Sequence, residues 1–216
     1  MLAARNEDRL QQLSGELNAP WQMIDGHSID SILAAAQQAV QQFGRLDGIV
    51  CCIGSVILKP AHLTSLADWQ ETLATNLTSA FGTVRAAYDT MRTHGGSVIL
   101  MSSAAARIGM ANHEAIAAAK AGVVGLMQSA AASYAARKIR FNAIAPGLVQ
   151  TPLTSRIWQE PKSAEVSRGM HALGRLGEPR DVASLICWLL QPDNDWITGQ
   201  VFGVDGGLAT LRTIRS

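Results

Sequence analysis

Residues 102–120 read SSAAARIGMANHEAIAAAK and contain three side chains that could hold or move a proton. They are the hydroxyl of Ser103, the imidazole of His113 and the amine of Lys120. His113, Ile116 and Lys120 occupy positions i, i+3 and i+7, so a helix would place them on one face. An imidazole with an ordinary pKa near ~6.5 suits proton transfer at neutral pH. The segment therefore predicts acid–base chemistry on one helical face.

Apolar strand-like segments alternate with amphipathic helical segments along the whole chain. This alternation predicts an α/β fold, a doubly wound parallel sheet with helices on both faces, as one domain over residues 1–216. Helix-start signals occur at Asn6, Ser28, Ser65 and Pro179, and another helix is predicted over 113–136. The predicted strands are MLAA at the start, WQMI (21–24), DGIVCCI (47–53), SVILM (97–101), IRFNAIA (139–145) and GQVFGVDGG (199–207).

The carboxyl ends of these strands define where a ligand would bind. In a doubly wound sheet they meet at one edge, and ligands bind in the crevice outside that edge. The residues at these ends are Arg5, Asp25, Gly54, Ser102–Ser103 and Pro146–Gly147.

Composition excludes several classes of function. The net charge of +1 and the scattered basic residues argue against a nucleic-acid partner. No uncharged apolar run approaches the ~20 residues of a membrane span, and MLAARNEDRL does not resemble a signal peptide. Three cysteines without metal-ligand spacing predict no metal site and no disulfide framework. We therefore expect a cytoplasmic protein.

The strand ends, taken together, resemble those of the short-chain dehydrogenase/reductase family. Seven segments in register support this resemblance, from LAARN through residue 209. The others are MIDG, DGIVCCIG, TNLTSAF, SVILMSS, IRFNAIAPGLVQTP and GRLGEPRDVASLICWLL…ITGQVFGVDGG. The resemblance implies a Rossmann-like fold and an oxidoreductase that moves hydride between NADP or NAD and a small carbonyl or alcohol. No residue pattern identifies the substrate.

Roles can be assigned to single residues from the same resemblance. Ser103 would bond the substrate oxygen, Lys120 the ribose hydroxyls, and Asn76 a proton-relay water; Lys120 follows Ser103 by seventeen residues, as the family requires. Arg5 follows MLAA, which corresponds to the second strand of the family; a basic residue at this point favours a 2′-phosphate and therefore NADP. The implied cofactor-binding residues are Arg5, Asp25, Gly54, Lys120, Pro146, Gly147 and Thr151.

Each assignment competes with a simpler structural role. Ser103 could cap the following segment, Asp25 could stabilise a turn, and Asn76 could have a structural polar role. Lys120, Arg5 and His113 could be solvent-exposed side chains. Burial and hydrogen bonding decide among these alternatives.

The chain departs from the family pattern at the proton donor. The family has a tyrosine four residues before the lysine, but this chain has Ile116, which cannot give or take a proton. Proton transfer by a positioned group contributes ~10²–10⁴-fold, so its direct loss would be severe. His113 is the best substitute because it shares the helical face, and water is the alternative.

A second departure lies at the amino-terminal end. The family begins with a strand, a glycine-rich turn and a helix that together bind the pyrophosphate. None of these is present, and Gly15 and Gly26 do not have the required spacing. Glu7 and Asp8, after a potential cap at Asn6, would repel a phosphate. The resemblance is thus to an N-terminally truncated member that holds its cofactor weakly or not at all.

The missing strand would lie in the middle of the sheet, where unpaired backbone groups on both sides are costly. These backbone groups could be satisfied if MLAA paired directly with GIVCC. The six predicted strands, numbered along this chain, would then have the flavodoxin-like order 2-1-3-4-5-6. The alternatives are a real gap, a neighbouring chain in the slot, or a start codon assigned too late.

Three functional hypotheses follow: an atypical oxidoreductase, an inactive family member acting as a binding or partner subunit, and a truncated reading frame. The family resemblance also implies a homodimer or homotetramer formed through the helices 65–92 and 113–136. Small residues in AAAKAGVVGLMQSAAASYAA would permit close packing between subunits or within one subunit.

Overall fold

The computed structural model describes residues 1–212, and over these residues six strands form two parallel sheets. A two-stranded sheet has the order β1-β2, and a four-stranded sheet has the order β3-β4-β5-β6. The α/β fold predicted from the alternation of segments is confirmed. The strands are Leu2–Ala4 (β1), Trp21–Met23 (β2), Gly48–Cys51 (β3), Gly96–Met101 (β4), Ile139–Pro146 (β5) and Val201–Val204 (β6).

Helices cover both faces of the four-stranded sheet. The bounds are Glu7–Leu17 (α1), Ile29–Phe43 (α2), Leu66–Leu73 (α3), Ser79–Met91 (α4), Glu114–Tyr134 (α5), Ser155–Trp158 (α6), Pro161–Met170 (α7) and Pro179–Leu190 (α8). Helices α4 and α5 pack on one face around the fully buried Val98, Leu100 and Phe141. Helix α8 packs on the other face around Ile99 and Ile144. The unbroken apolar runs of β4 and β5 follow from burial on both faces.

Side-chain caps fix where the helices begin. The side chain of Asn6 accepts from the Arg9 backbone N–H at 2.8 Å, and Ser28 caps α2 in the same way. Ser65 and Asp68 form the predicted capping box at the start of α3. Each cap satisfies an N–H group that the first helical turn leaves unpaired.

The helix predicted over 65–92 is interrupted. Between α3 and α4, Ala74–Thr78 form a π-helical segment that keeps the chain helical but widens one turn. Such π segments occur frequently at functional sites, and this one contains Asn76.

The prediction that β1 pairs with β3 is wrong. Strand β1 pairs only with β2, and β3 pairs only with β4, in the part of the chain described here. The partner of β1 is β2, and a cavity of about 540 Å³ separates β1 from β3. Helix α2 packs closely on α4, because a side chain at Gly82 would meet Ile32 at 3.1 Å.

Helix α5 is long and apolar enough to span a membrane when judged by length and composition alone. Its buried residues Ala119, Val123 and Met127, however, pack against the sheet, as in the core helix of a globular domain. The prediction of a single domain also covers residues 213–216, which lie outside the described part of the chain.

Two glycine substitutions are expected to have opposite effects on stability. Gly95 has φ of +80°, and a Cβ there would lie 2.6 Å from the Lys138 carbonyl oxygen, so Gly95→Ala should cost at least about 2 kcal/mol. Gly15 lies inside α1 with no atom within 4 Å of the added methyl, so Gly15→Ala should stabilise by about 0.5–1 kcal/mol. Urea unfolding of both variants measures the difference, and a stabilising Gly95→Ala would contradict the placement of this turn.

Candidate active site

Lys120 is buried, with only 7% of its surface exposed, and is therefore not a surface lysine. Its Nζ donates to the carbonyl oxygen of Met101 at 2.9 Å, at the carboxyl end of β4. In return, the hydroxyl of Ser102 donates to the carbonyl oxygen of Lys120 at 2.9 Å. These two hydrogen bonds fix α5 to the end of β4 and place the amine at the edge where the strands end.

The burial of this amine changes its acidity. Desolvation lowers the pKa of Lys120 from 10.5 to about 8, although the nearby thiols of Cys51 and Cys52 favour the charged form. The amine thus changes its charge close to physiological pH, unlike an ordinary lysine.

Asn76 is almost completely buried, and its side chain is fully engaged. Its amide nitrogen donates to Ser55 Oγ at 2.9 Å and to the Thr72 carbonyl oxygen at 3.0 Å. Its amide oxygen accepts from the Ser55 backbone N–H at 3.2 Å. Asn76 therefore holds the segment after β3 in place, which is the structural polar role considered from the sequence.

Gly54 brings the end of β3 against both polar side chains. A Cβ on Gly54 would lie 3.2 Å from Asn76 Oδ1 and 3.6 Å from Lys120 Nζ. Only glycine leaves this approach open, and a planar or hydroxyl-bearing ligand could then lie against the backbone here. Gly54, Asn76 and Lys120 are three predicted site residues that the structure brings together.

Ser103 follows β4 directly and caps a short 3-10 turn at Ala104–Ala106. Its Oγ accepts from the Ala105 backbone N–H at 3.1 Å, which confirms the capping role considered from the sequence. The hydroxyl proton is not used in that bond. It remains able to donate to a substrate oxygen.

The segment after β5 depends on a histidine that the sequence analysis missed. His171 is buried, and its Nε2 accepts from the Leu148 backbone N–H at 3.1 Å. A Cβ on Gly147 would lie 2.5 Å from this nitrogen, so the pair fits only because position 147 is glycine. His171 thus fixes the course of the chain after Pro146; no sequence motif pointed to it.

Two other predicted residues lie apart from this group. Thr151 forms a capping box with Thr154, and its carbonyl oxygen accepts from Trp158 Nε1 at 2.9 Å. His113 is the residue before α5, half-buried, with Nδ1 2.7 Å from the Ala111 carbonyl oxygen. Within residues 1–212, no hydrogen bond joins either residue to Lys120.

The cavity between the sheets meets the strand ends at Arg5, Asp25 and Gly54. The Asp25 carboxylate accepts from the His27 backbone N–H at 2.9 Å, so Asp25 does stabilise a turn. His27, also missed from the sequence, lies with Nε2 2.8 Å from Thr75 Oγ1 and 3.2 Å from Glu71 Oε1. This contact ties the loop after β2 to the π-helical segment.

The two ends of this region differ in how well they fit a dinucleotide. At one end, the backbone of Gly54 lies next to the buried amine of Lys120. At the other end, Arg5 and Asp25 line the cavity after β1 and β2. The start of α1 fits a phosphate poorly, because Glu7 and Asp8 occupy its first turn.

Comparison with known proteins agrees with this fold. The family model described as Enoyl-(Acyl carrier protein) reductase matches residues 1–209. The chain is 35% identical to the 3-oxoacyl-[acyl-carrier-protein] reductase FabG of Thermotoga maritima, over 83% of this chain and 72% of that protein. It is also 35% identical to the cis-4-hydroxycyclohexanecarboxylate dehydrogenase of Sinomonas cyclohexanicum, over 89% of this chain and 78% of that protein.

Solved structures superpose on almost all of the chain. A short-chain type dehydrogenase/reductase from Mycobacterium ulcerans matches with a TM-score of 0.92 and 31% identity, covering 97% of this chain and 80% of the other. ElxO with NADP bound matches with a TM-score of 0.90 and 25% identity, covering 97% and 88%. The fold and the strand-end site define a Rossmann-type oxidoreductase. The chain belongs to the short-chain dehydrogenase/reductase family, whose members are NAD(P)-dependent oxidoreductases.

Replacing Lys120 by methionine is expected to remove part of the pH dependence of stability. The pKa of Lys120 is about 8 in the folded chain against 10.5 in its ordinary state. Between these values the unfolded chain binds more protons, so the free energy of unfolding rises with pH, by at most about 3 kcal/mol. Urea unfolding between pH 7 and pH 10.5 should show a smaller rise for Lys120→Met.

The matched control is Lys162→Met, at an exposed position in α7. Its stability curve should run parallel to that of the wild type. If the Lys120→Met curve is parallel as well, the amine of Lys120 is not desolvated as described.

Proposed function

We propose that this chain is an atypical NAD(P)-dependent oxidoreductase that acts on a small carbonyl or alcohol at the carboxyl ends of β3, β4 and β5. The observation that supports this most directly is the convergence of Gly54, Asn76 and Lys120. A buried amine next to an open glycine backbone needs a polar ligand to complete its hydrogen bonds.

The chain's own residues would do the following. Lys120 would donate to the ribose hydroxyls of the cofactor, with Gly54 and Gly147 allowing close approach of the ring. Ser103 would donate its free hydroxyl proton to the substrate oxygen and so favour charge development on that atom. When bound, the nicotinamide supplies a hydride to a carbonyl carbon or accepts one from an alcohol carbon.

The proton that accompanies the hydride needs a source other than position 116. Ile116 is 4% exposed and packs into the core, so it contributes shape and desolvation only. We assign the proton to His113, whose Nδ1 contacts the Ala111 carbonyl oxygen and whose Nε2 has no hydrogen-bond partner within residues 1–212. Water is the alternative donor.

Arg5 would select between the two cofactors. It lines the cavity after β1 and is exposed, so its guanidinium can pair with a 2′-phosphate. We therefore propose NADP in preference to NAD.

Two features outside the site complete the proposal. Exposed small residues on α5, Ala118, Ala121 and Gly125, leave a face on which a second copy could pack closely as a homodimer or homotetramer. Three free cysteines suit a reducing compartment, so we propose a cytoplasmic protein with a single domain.

Cofactor binding tests the proposal without knowledge of the substrate. Titration with NADPH and NADH, followed by cofactor fluorescence, should show saturable binding that Lys120→Met weakens at least about tenfold. Arg5→Ala should weaken NADPH and leave NADH unchanged, whereas Arg9→Ala, on exposed α1, should change neither. Absence of NADPH binding at millimolar concentration would reject the proposal and favour an inactive binding subunit.

Turnover with a panel of small ketones tests the proton donor. His113→Ala should lower the rate by about 10²-fold or more if the imidazole gives the proton. His62→Ala is the control, since His62 is exposed in a short helical turn before α3. Equal rates for His113→Ala and the wild type would assign the proton to water.

A further inference from the structure

Arg107 is an exposed cation near the strand ends that has no part in the reaction proposed above. It follows Ser103 by four residues, and its backbone N–H donates to the Ala104 carbonyl oxygen at 2.9 Å as the short 3-10 turn ends. Over residues 1–212, its guanidinium makes no hydrogen bond and no ion pair. All five of its N–H donors are therefore available to a ligand.

The guanidinium lies over strand β6 because that strand has glycine at position 203. A Cβ on Gly203 would lie 2.7 Å from Arg107 Nη1, which is too close for a real contact. Any larger residue at this position would displace the guanidinium, whereas glycine leaves room for it above the strand. Gly203 thus places a cation of the turn after β4 on a strand that is distant in the sequence.

The register of the strands locates this cation relative to the candidate site. Gly203 of β6 pairs with Ala145 of β5. The preceding residue of β5, Ile144, pairs with Met101 of β4. Gly203 therefore lies level with Ser102, where β4 ends and Ser103 follows.

The same cation lies on the face of the sheet that α5 covers. Val201, two residues before Gly203, packs into the core beneath α4 and α5, and side chains two apart in a strand share a face. Ser102 faces α5 as well, because its hydroxyl donates to the Lys120 carbonyl oxygen. The guanidinium of Arg107 and the end of β4 thus flank the end of β5 on one side of the sheet.

The distance across β5 sets the length of a ligand that reaches both groups. Strands β4 and β6 lie on either side of β5, so their axes are ~10 Å apart for a strand spacing of ~4.8 Å. A hydrogen bond of ~2.8 Å at each end leaves ~4–5 Å between the two polar groups of the ligand. Carbon–carbon bonds of ~1.5 Å span this gap with about two or three carbon atoms.

The surrounding charge favours a ligand with one negative charge. Asp205 Oδ2 would lie 3.6 Å from the same Cβ on Gly203, but Asp205 and Arg107 form no ion pair in the described chain. Its carboxylate oxygens instead accept from the backbone N–H groups of Gly207 and Ala209, each at 3.0 Å. A phosphate carries nearly two charges and would be repelled more strongly by Asp205, whereas a carboxylate matches a single guanidinium.

We infer that Arg107 is a specificity-determining residue that binds a carboxylate of the substrate, while Ser103 bonds the oxygen of the reacting carbonyl or alcohol. The substrate class is then a short oxo acid, or the corresponding hydroxy acid, with about two or three carbon atoms between the two groups. This inference rests on the proposed function for the reaction, and on Arg107 and Gly203 for the choice of substrate. A planar guanidinium can bind a carboxylate through two parallel hydrogen bonds, which adds orientation to charge recognition.

The probes are 4-oxopentanoate and the uncharged 4-oxopentanamide, titrated without cofactor at equal ionic strength. Backbone amide shifts of the isotope-labelled protein at Arg107 and Gly203 report binding. The carboxylate should bind at least about fivefold more tightly than the amide, as expected for charge-assisted hydrogen bonds at an exposed arginine. Acetate has no oxo group for Ser103 and should bind more weakly than 4-oxopentanoate.

Four variants locate the preference for the carboxylate. Arg107→Met should abolish it, and Arg107→Lys should keep only part of it, because an ammonium has charge but no planar fork. Arg137→Met is the matched control, since Arg137 is an exposed arginine just before β5, at the opposite edge of the sheet. Gly203→Ala should displace the guanidinium and weaken carboxylate binding several-fold.

Turnover of the same two ketones with NADPH separates this inference from the proposed function. A higher kcat/KM for the oxo acid, lost in Arg107→Met, supports both. Carboxylate-selective binding without turnover of either ketone would reject the oxidoreductase function and retain Arg107 as the carboxylate site. Equal binding of acid and amide, a preference that persists in Arg107→Met, or acetate binding as tight as that of 4-oxopentanoate would each overturn the inference.

Discussion

The close packing of α2 on α4 is the constraint on which the rest of the arrangement depends. Position 82 has no side chain, so Ile32 of α2 reaches the surface of α4, and the two helices act as one support. The loop after β2 is tied to the π-helical segment before α4 by His27, whose Nε2 lies 2.8 Å from Thr75 Oγ1. A cavity of about 540 Å³ lies between β1 and β3.

Most of the candidate site is positioned by the four-stranded sheet. The strand ends that matter most, at Gly54, Met101 and Pro146, belong to the continuous four-stranded sheet or follow it directly. Lys120 is fixed to that sheet by a hydrogen bond from its amine and one to its carbonyl oxygen. Gly54 and Lys120 are therefore positioned by the four-stranded sheet, while Arg5 and Asp25 follow the strands of the separate β1–β2 pair.

The sequence predicted most of the fold because periodicity and caps are local signals. Asn6, Ser28 and Ser65 began their helices as expected, and the unbroken apolar runs identified the buried strands. The predicted pairing of β1 with β3 was wrong: β1 pairs with β2 and β3 with β4, and no local signal in the sequence records which strands become neighbours. Direct pairing of β1 with β3 would satisfy the backbone groups of both strands, but the tertiary structure does not bring these strands together.

Part of the candidate site could be predicted because several of its residues lie in sequence segments that resemble the family's motifs. Lys120, Gly54 and Asn76 lie together, as the family resemblance implied. His171 and His27 were missed because each acts on backbone or side chains far away in the chain, Leu148 for one and Thr75 for the other. Such contacts depend on tertiary structure and leave no pattern in a single sequence.

This chain has Ile116 where the family has a tyrosine, and this difference changes the surroundings of Lys120. In the family arrangement the charge of the lysine lowers the pKa of the acid four residues before it. Here that position is apolar and buried, and the amine itself has a pKa of about 8. The amine of Lys120 thus titrates beside the thiols of Cys51 and Cys52 at the end of β3, and its positive charge declines as the pH rises above about 8.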